Sequence, residues 1–301
     1  MIKQNNYEVI IIGGSYSGLS SAMALGRALR KVMVLDNGKP CNRYTPHSHN
    51  FITQDGVVPY EISQKAKDQV LAYPTVSFRE AKVLAVLKTE EGFEVKTSDD
   101  SFFAKKIILA TGIKDIFPDI KAFEDCWGKS ILHCPYCHGY EVRNQQIAVI
   151  GNGDIGYDFA KLIYQWSNNI SLLTDGTSTL SKEQADKLTS KGIRIVENKI
   201  GEFLHTDGQI ESIKLSENLE LFVDAVFARV PFKQSTNFAE NLGCNFLPSG
   251  YVQVDEMQRT SVQGVYAVGD STSMMRSVSV AVATGTKAGA MLNKELIEEE
   301  F

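Results

Sequence analysis

The chain has 301 residues, of which 43% are hydrophobic and 22% charged, and a formal net charge of −5. That length allows two domains, each with its own core. The mildly acidic balance offers no basic face for nucleic acid and no polybasic patch for a membrane surface. No apolar run reaches the length of a membrane span, and the first six residues do not read as a secretion signal. Five cysteines are too few for a disulfide scaffold at this size. Cys41, Cys126 and Cys244 are isolated and read as structural, and a cytoplasmic location is expected.

Residues 7–12 are short, β-branched and nearly all apolar, as in a parallel strand covered on both faces. Gly13-Gly14-Ser15-Tyr16-Ser17-Gly18 follows, then a helix through Ala22 and Leu25 to about Arg30, then a strand over 32–35 ending at Asp36. This is a βαβ dinucleotide pattern: the glycines make the tight turn, the helix start faces a pyrophosphate, and the acid takes ribose hydroxyls. Asp36 lies 23 residues after Gly13, close to the expected offset. Ser15 stands where the second motif glycine is usual, and it is small enough to keep the approach to phosphate open.

Residues 41–56 are loop-like and carry Arg43, His47, His49 and Asp55. The spacing of Cys41, His47 and His49 fits no usual zinc pattern, so lining of a cofactor or substrate pocket is the better expectation. Pro59 opens a helix to about Leu71. Residues 76–88 and 92–97 read as strands of a hairpin or small sheet, and 106–109 as a buried strand running into Ala110-Thr111-Gly112. Residues 113–128 read as a linker.

His133-Cys134-Pro135-Tyr136-Cys137-His138 comes next. Two thiols at this spacing can close and reopen a disulfide, chemistry that needs a thiolate, and an adjacent imidazole can take and return the proton. His138 is the expected acid/base, with His133 the weaker candidate; the bland alternative for each is a hydrogen-bonded structural histidine. Zinc is disfavoured, because four donors within six residues cannot easily wrap one tetrahedral ion.

A strand over 146–150 then feeds a second turn, Gly151-Asn152-Gly153-Asp154-Ile155-Gly156, followed by a helix over 157–166 and a strand over 170–173 ending near Asp175. Further strands are expected near 193–196, 201–205, 210–215 and 219–227, the first in a parallel sheet and the others in a meander. A short strand ends at Gly269-Asp270, and 277–296 form a long helix rich in alanine and glycine, suited to close packing.

Two glycine-rich nucleotide units, a Cys-x-x-Cys just before the second, Ala-Thr-Gly between them and a late Gly-Asp form one ordered set. It resembles the low-molecular-weight thioredoxin reductase family of flavoproteins over nearly the whole chain. The resemblance implies an α/β fold of two Rossmann-like domains. An FAD domain would span 1–114 and 245–301, and a pyridine-nucleotide-type domain carrying the cysteines would be inserted at 115–244. It implies that Gly13, Gly14, Ser15, Gly18 and Asp36 meet the ADP half of FAD. Thr111, Gly112, Gly269 and Asp270 would line the rest of the cofactor, together with Arg43, Asp55, Arg276 and Ser277. Cys137 would face the flavin, Cys134 would meet an external dithiol or disulfide of a protein or small molecule, and the active form would be a homodimer.

Two departures bear on function. His138 stands where thioredoxin reductases carry aspartate, and the basic run that grips the 2′-phosphate of NADPH is replaced by Leu172-Leu173-Thr174-Asp175-Gly176. Asp175 would repel that phosphate; it suits the ribose of NADH, with Gly151 and Gly153 at the pyrophosphate, or else marks an insert that no longer binds a nicotinamide. The Cys-Pro-Tyr-Cys-His-Gly-Tyr-Glu run is similar to a branch that includes dithiol oxidases, which pass electrons through FAD to oxygen. Disulfide reduction and dithiol oxidation both remain open, and a flavin-binding redox sensor without turnover is the alternative of another class.

Overall fold

This computed structural model describes residues 5–301, which divide into two compact units. One comprises the chain up to Arg43, Val58–Lys114 and Phe232–Phe301; the other comprises Tyr44–Val57 and Asp115–Pro231.

The first unit is built on a sheet whose central strand is Asn6–Ile12. Val32–Asp36 and Ser101–Leu109 flank it in parallel, Val76–Glu80 lies beyond Val32–Asp36, and Val265–Ala267 pairs with the end of Ser101–Leu109. Side chains alternate across a strand, so each apolar strand feeds two cores. Val9 and Ile11 pack with Leu19, Leu25 and Leu292 on the helical face, and Ile10 and Ile12 pack with Val86, Val95 and Phe102 on the other. Ala85–Thr89 and Gly92–Lys96 form an antiparallel hairpin on Ser101–Leu109. The expected continuous strand over 76–88 is therefore two strands with different partners.

The helices Tyr16–Arg27 and Val278–Glu300 lie against each other through small residues. Ser20 Oγ donates to the Val282 carbonyl at 2.8 Å and Ser21 Oγ to the Gly285 carbonyl at 2.9 Å. A Cβ at Gly285 would fall inside the van der Waals shell of the Ser17 carbonyl oxygen, a backbone atom that cannot swing aside. Alanine favours a helix over glycine by about 1 kcal/mol, and overpacking costs roughly 1–3 kcal/mol. With backbone as the obstacle the second effect wins, so Gly285→Ala is expected to lower the denaturation midpoint; an unchanged or raised midpoint would show that the two helices can part at little cost.

The second unit centres on a five-stranded parallel sheet. Its order is Arg194–Val196, Ile170–Leu173, Ile147–Ile150, Ala225–Ala228 and Ile131–Leu132, with an antiparallel meander of Ile200–Thr206, Gln209–Leu215 and Glu220–Phe222. The single strand expected over 219–227 breaks at Val223-Asp224. Its second half, buried throughout, enters the parallel sheet rather than the meander. The helix after the second turn starts at Gly153, four residues earlier than expected, and the last helix runs to Glu300. Residues 113–128 include a strand, Ile113–Asp115, and a four-residue helix, Phe123–Cys126. The division between units falls at Phe232 rather than 245, and Tyr44–Val57 packs with the second unit. Tyr44 joins the Phe123–Trp127 cluster there, which no local pattern in that segment announces.

Candidate functional site

Register brings the first glycine turn, Asp36, Thr111-Gly112 and Gly269-Asp270 to one edge. Ile12 aligns with Leu35 and Leu109, and Leu109 aligns with Ala267, so four parallel strands end side by side. Loops at the carboxyl ends of parallel strands are where such sheets take ligands. Gly14 N–H donates to Asp36 Oδ1 at 2.8 Å and Gly38 N–H to Oδ2 at 3.0 Å, which fixes the carboxylate beside the turn. Gly13 takes φ +108°, and Gly18 packs so tightly on the Gly13 carbonyl that a side chain at either position would collide. Ser15 occupies the helix N-cap but its hydroxyl caps nothing, so the first N–H groups of Tyr16–Arg27 are left for an anion. Gly112 has φ +65° and faces open space, and Gly269 N–H is held by Thr284 Oγ1 at 3.1 Å. This cradle fits the ADP and ribityl parts of FAD.

The outlying candidates in this unit are less uniform. Arg276 Nη2 lies 3.4 Å from Cys41 Sγ, and Arg43 donates to the Pro40 carbonyl at 3.0 Å. Ser277 is the N-cap of the last helix, its Oγ accepting from Val280 N–H at 3.2 Å. Asp270 sits in the short turn Gly269–Ser271. Asp55 belongs to the second unit, where its Oδ1 accepts from Asn50 N–H at 2.7 Å.

In the second unit the edge strand Ile131–Leu132 delivers the cysteine run at the same end of the sheet as the second glycine turn. Cys134 and Cys137 form a disulfide, with Cα atoms 5.3 Å apart. Cys134 is the N-cap of the short helix Pro135–His138, with proline at its first position, and its Sγ accepts from Cys137 N–H at 3.2 Å. An N–H aimed at sulfur favours the thiolate once the disulfide opens. His133 stacks on Trp127 with ring centroids 5.9 Å apart, so its environment is that of an aromatic cluster. His138 is partly buried, and its pKa is lowered to about 4, first by burial and then by the nearby His49. It is therefore a neutral imidazole near pH 7, able to accept a proton. His49 enters from Tyr44–Val57 and meets His138 edge-on, with centroids 6.4 Å apart at 89°. The free thiols Cys126 and Cys244 are buried, and burial pushes both pKa values up, as in inert structural cysteines.

The second glycine turn is closed on itself. Asn152 Oδ1 accepts from Gly153 N–H at 2.8 Å, Thr179 N–H at 2.7 Å and Thr179 Oγ1 at 3.1 Å. Its Nδ2 donates to the Thr177 carbonyl at 2.9 Å and the Thr174 carbonyl at 3.3 Å. Thr179 Oγ1 lies 2.9 Å from where a Cβ on Gly153 would stand, so the 177–179 loop covers the helix start. Asp175 has φ +51°; its Oδ1 accepts from Ile200 N–H at 2.8 Å, and Lys199 bonds its backbone carbonyl and lies 3.8 Å from Oδ2. Gly151, Gly153 and Asp175 thus sit where a nucleotide fold would place them, yet their polar neighbours are already engaged. No arginine lies in residues 170–190. The motif alone does not reveal this closure, because Asn152 and Thr179 are 27 residues apart. Among the described residues no helix is long and apolar enough to cross a membrane, and no group of three or more His, Cys, Asp or Glu is placed to hold a metal.

A family model described as pyridine nucleotide-disulphide oxidoreductase matches residues 7–285. The thioredoxin reductase tcpT of Claviceps purpurea is 31% identical over 311 residues, covering 99% of this chain and 97% of the relative. The solved structure of a putative thioredoxin reductase TrxB from Bacillus anthracis superimposes with a TM-score of 0.94 at 31% identity, covering 98% of this chain and 100% of that one. That of an oxidoreductase from Agrobacterium tumefaciens does so with a TM-score of 0.91 at 32% identity, covering 97% and 99%.

Proposed function

The chain belongs to the pyridine nucleotide-disulphide oxidoreductases, and from that premise we propose that it is an FAD-dependent oxidase of an external dithiol, working through Cys134 and Cys137. The observation that supports this direction is the closed second turn, where Asn152 is bonded to Gly153 and Thr179, and Asp175 to Ile200 N–H. In the proposed reaction the substrate dithiol loses two electrons and two protons to become a disulfide, and oxygen gains them to become hydrogen peroxide. Bound FAD supplies the two-electron transfer between the cysteine pair and oxygen. The chain's own residues do the rest. His138, neutral near pH 7, takes the proton from the substrate thiol. The resulting thiolate attacks Cys134, the bond to Cys137 breaks, and Cys137 leaves as thiolate. The second substrate thiol then releases Cys134. Gly14 and Asp36, bonded to each other, would hold the adenosine end of the cofactor, and the substrate is a small molecule or protein bearing two neighbouring thiols.

A second reading, an NADH-linked disulfide reductase, is favoured by the parallel-sheet setting of Gly151–Gly153 and by an acid at position 175. It requires the 177–179 loop to open. Anaerobic titration of the flavin separates the two. Dithiothreitol is expected to bleach the visible band, with NADH and NADPH inert and the colour returning in air. Bleaching by NADH would instead support the reductase, and bleaching by NADPH would defeat the argument from Asp175.

A further inference from the structure

The strand Ala225–Ala228 lies between the strand that leads into the second glycine turn and the strand that leads into the cysteine run. Its last paired positions set the faces. Phe227 aligns with Leu132, and both pack with Phe159 on the side of the helix Gly153–Ile163. Val226 and Ile131 pack on the opposite side. Side chains alternate along a strand, so the next positions on the helix side are Arg229 beyond one strand and Cys134 beyond the other. Cys134 keeps an extended backbone, with φ −114° and ψ 108°, so the strand geometry runs on to it. Neighbouring strands lie about 4.8 Å apart, which makes Arg229 the lateral neighbour of the first redox cysteine at the end of the sheet. Arg229 is exposed, yet its place is fixed. Its Cζ stands 4.4 Å from the centroid of the Phe159 ring. That ring is buried and braced edge-on by Phe227, with centroids 6.2 Å apart at 87°. A guanidinium over an aromatic face is held by the ring quadrupole and keeps the N–H groups of its rim open to a ligand. Among the described residues none accepts a hydrogen bond from Arg229, and no carboxylate pairs with it. Lys161, on the same helix as Phe159, already has Asp158 at 3.8 Å.

We propose that Arg229 is a specificity-determining residue, which binds a carboxylate of the external dithiol and so selects anionic dithiols for attack on Cys134. The proposal rests on the reading of Cys134 as the cysteine that meets the substrate. An arginine fork matches a carboxylate with two parallel N–H···O bonds. A planar cation already set over a ring loses less freedom on binding than a loose side chain does. A nucleotide phosphate is the other source of such an anion, because Ala228 aligns with Ile150 and Arg229 is thereby also the neighbour of Gly151. The dithiol is the better match. At that turn Gly153 N–H is bonded to Asn152 Oδ1, and Thr179 Oγ1 stands over Gly153, whereas nothing in the chain engages the donors of Arg229.

The test uses the FAD-loaded enzyme and two dithiols that differ only at a remote group: dihydrolipoate, with its carboxylate, and dihydrolipoamide, with a neutral amide. Wild-type kcat/KM is expected to favour dihydrolipoate about fivefold, the size of one well-formed exposed ion pair. The preference should lie in KM rather than kcat, and it should shrink in molar KCl, where charges are screened beyond about 3 Å. R229Q should bring the two substrates level, and R229E should reverse the preference. R229K, which keeps the charge without the fork, should fall between wild type and R229Q. Each result is a ratio of two substrates on one protein, so a general loss of fold or flavin cancels. Equal kcat/KM for the pair in the wild-type enzyme, or a preference that survives in R229Q, would overturn this inference alone. A surviving preference beside weakened NADH binding by R229Q in calorimetry would give the anion site to a nucleotide instead. Failure of the wild-type enzyme to oxidise either dithiol, or dithiothreitol, would overturn the reading beneath it.

Discussion

Serine at Cys134 or at Cys137 is expected to reduce dithiol turnover by more than about a thousandfold, since no bond remains for the substrate to attack. The flavin spectrum should persist, because the proposed cradle of Gly13, Gly14, Asp36 and Gly112 lies in the other compact unit. The two variants should differ in one respect. If Cys134 meets the substrate, the Cys137→Ser protein will form a stable mixed disulfide with an oxidised substrate: its Cys134 thiolate attacks one sulfur and the other leaves as thiolate. In Cys134→Ser the remaining Cys137 should form far less. Intact mass spectrometry reads the adduct directly. Equal trapping in both would remove the distinction of roles, and turnover surviving in either would remove the pair from the reaction.

The His138→Gln variant should lose about 10²- to 10⁴-fold in kcat, the range for removing a general acid–base group. Its pH behaviour gives a second handle. The folded-state pKa of about 4 lies below the ordinary histidine value of 6.5. Between those values the unfolded chain binds a proton that the folded protein refuses, so stability falls as pH drops from about 6.5 to 4 and levels off below. A shift of that size corresponds to at most roughly 3 kcal/mol. His138→Gln should flatten this part of the stability curve in urea titrations between pH 7 and 4. A curve of unchanged slope would mean that burial does not keep the ring neutral.

Much of the fold was legible because its signals are local. A nearly all-apolar strand, a glycine turn and an acid 23 residues on announce the first nucleotide unit, and register then carries Thr111 and Gly269 to the same edge. The cysteine pair is equally plain from its spacing. What escaped depends on contacts between distant segments. His49 lies in a loop without periodicity and meets His138, 89 residues later. Asp175 has the right offset for a ribose acid, but its left-handed backbone and its bond to Ile200 N–H are not legible in the local sequence. Asp55 lies in a polar loop embedded in the first unit's sequence, and only three-dimensional packing assigns that loop to the second unit. The strand Ala225–Ala228 was misplaced because a short apolar run reads alike in a meander and in a parallel sheet.

The pairing of the helices Tyr16–Arg27 and Val278–Glu300 has a consequence for biosynthesis. The first helix emerges from the ribosome early, yet its partner is translated far later in the chain. At about 5–20 residues per second, Leu19, Ala22 and Leu25 wait many seconds before Leu292 and Leu296 arrive to cover them. The stretch Asp115–Pro231, which forms most of the second unit, is complete well before then. The nascent chain should therefore carry a finished domain between two unfinished halves of another, and that interval is when chaperones would hold it. A message truncated before codon 278 would release a protein with this apolar face permanently open, a substrate for proteolysis rather than a weakened enzyme.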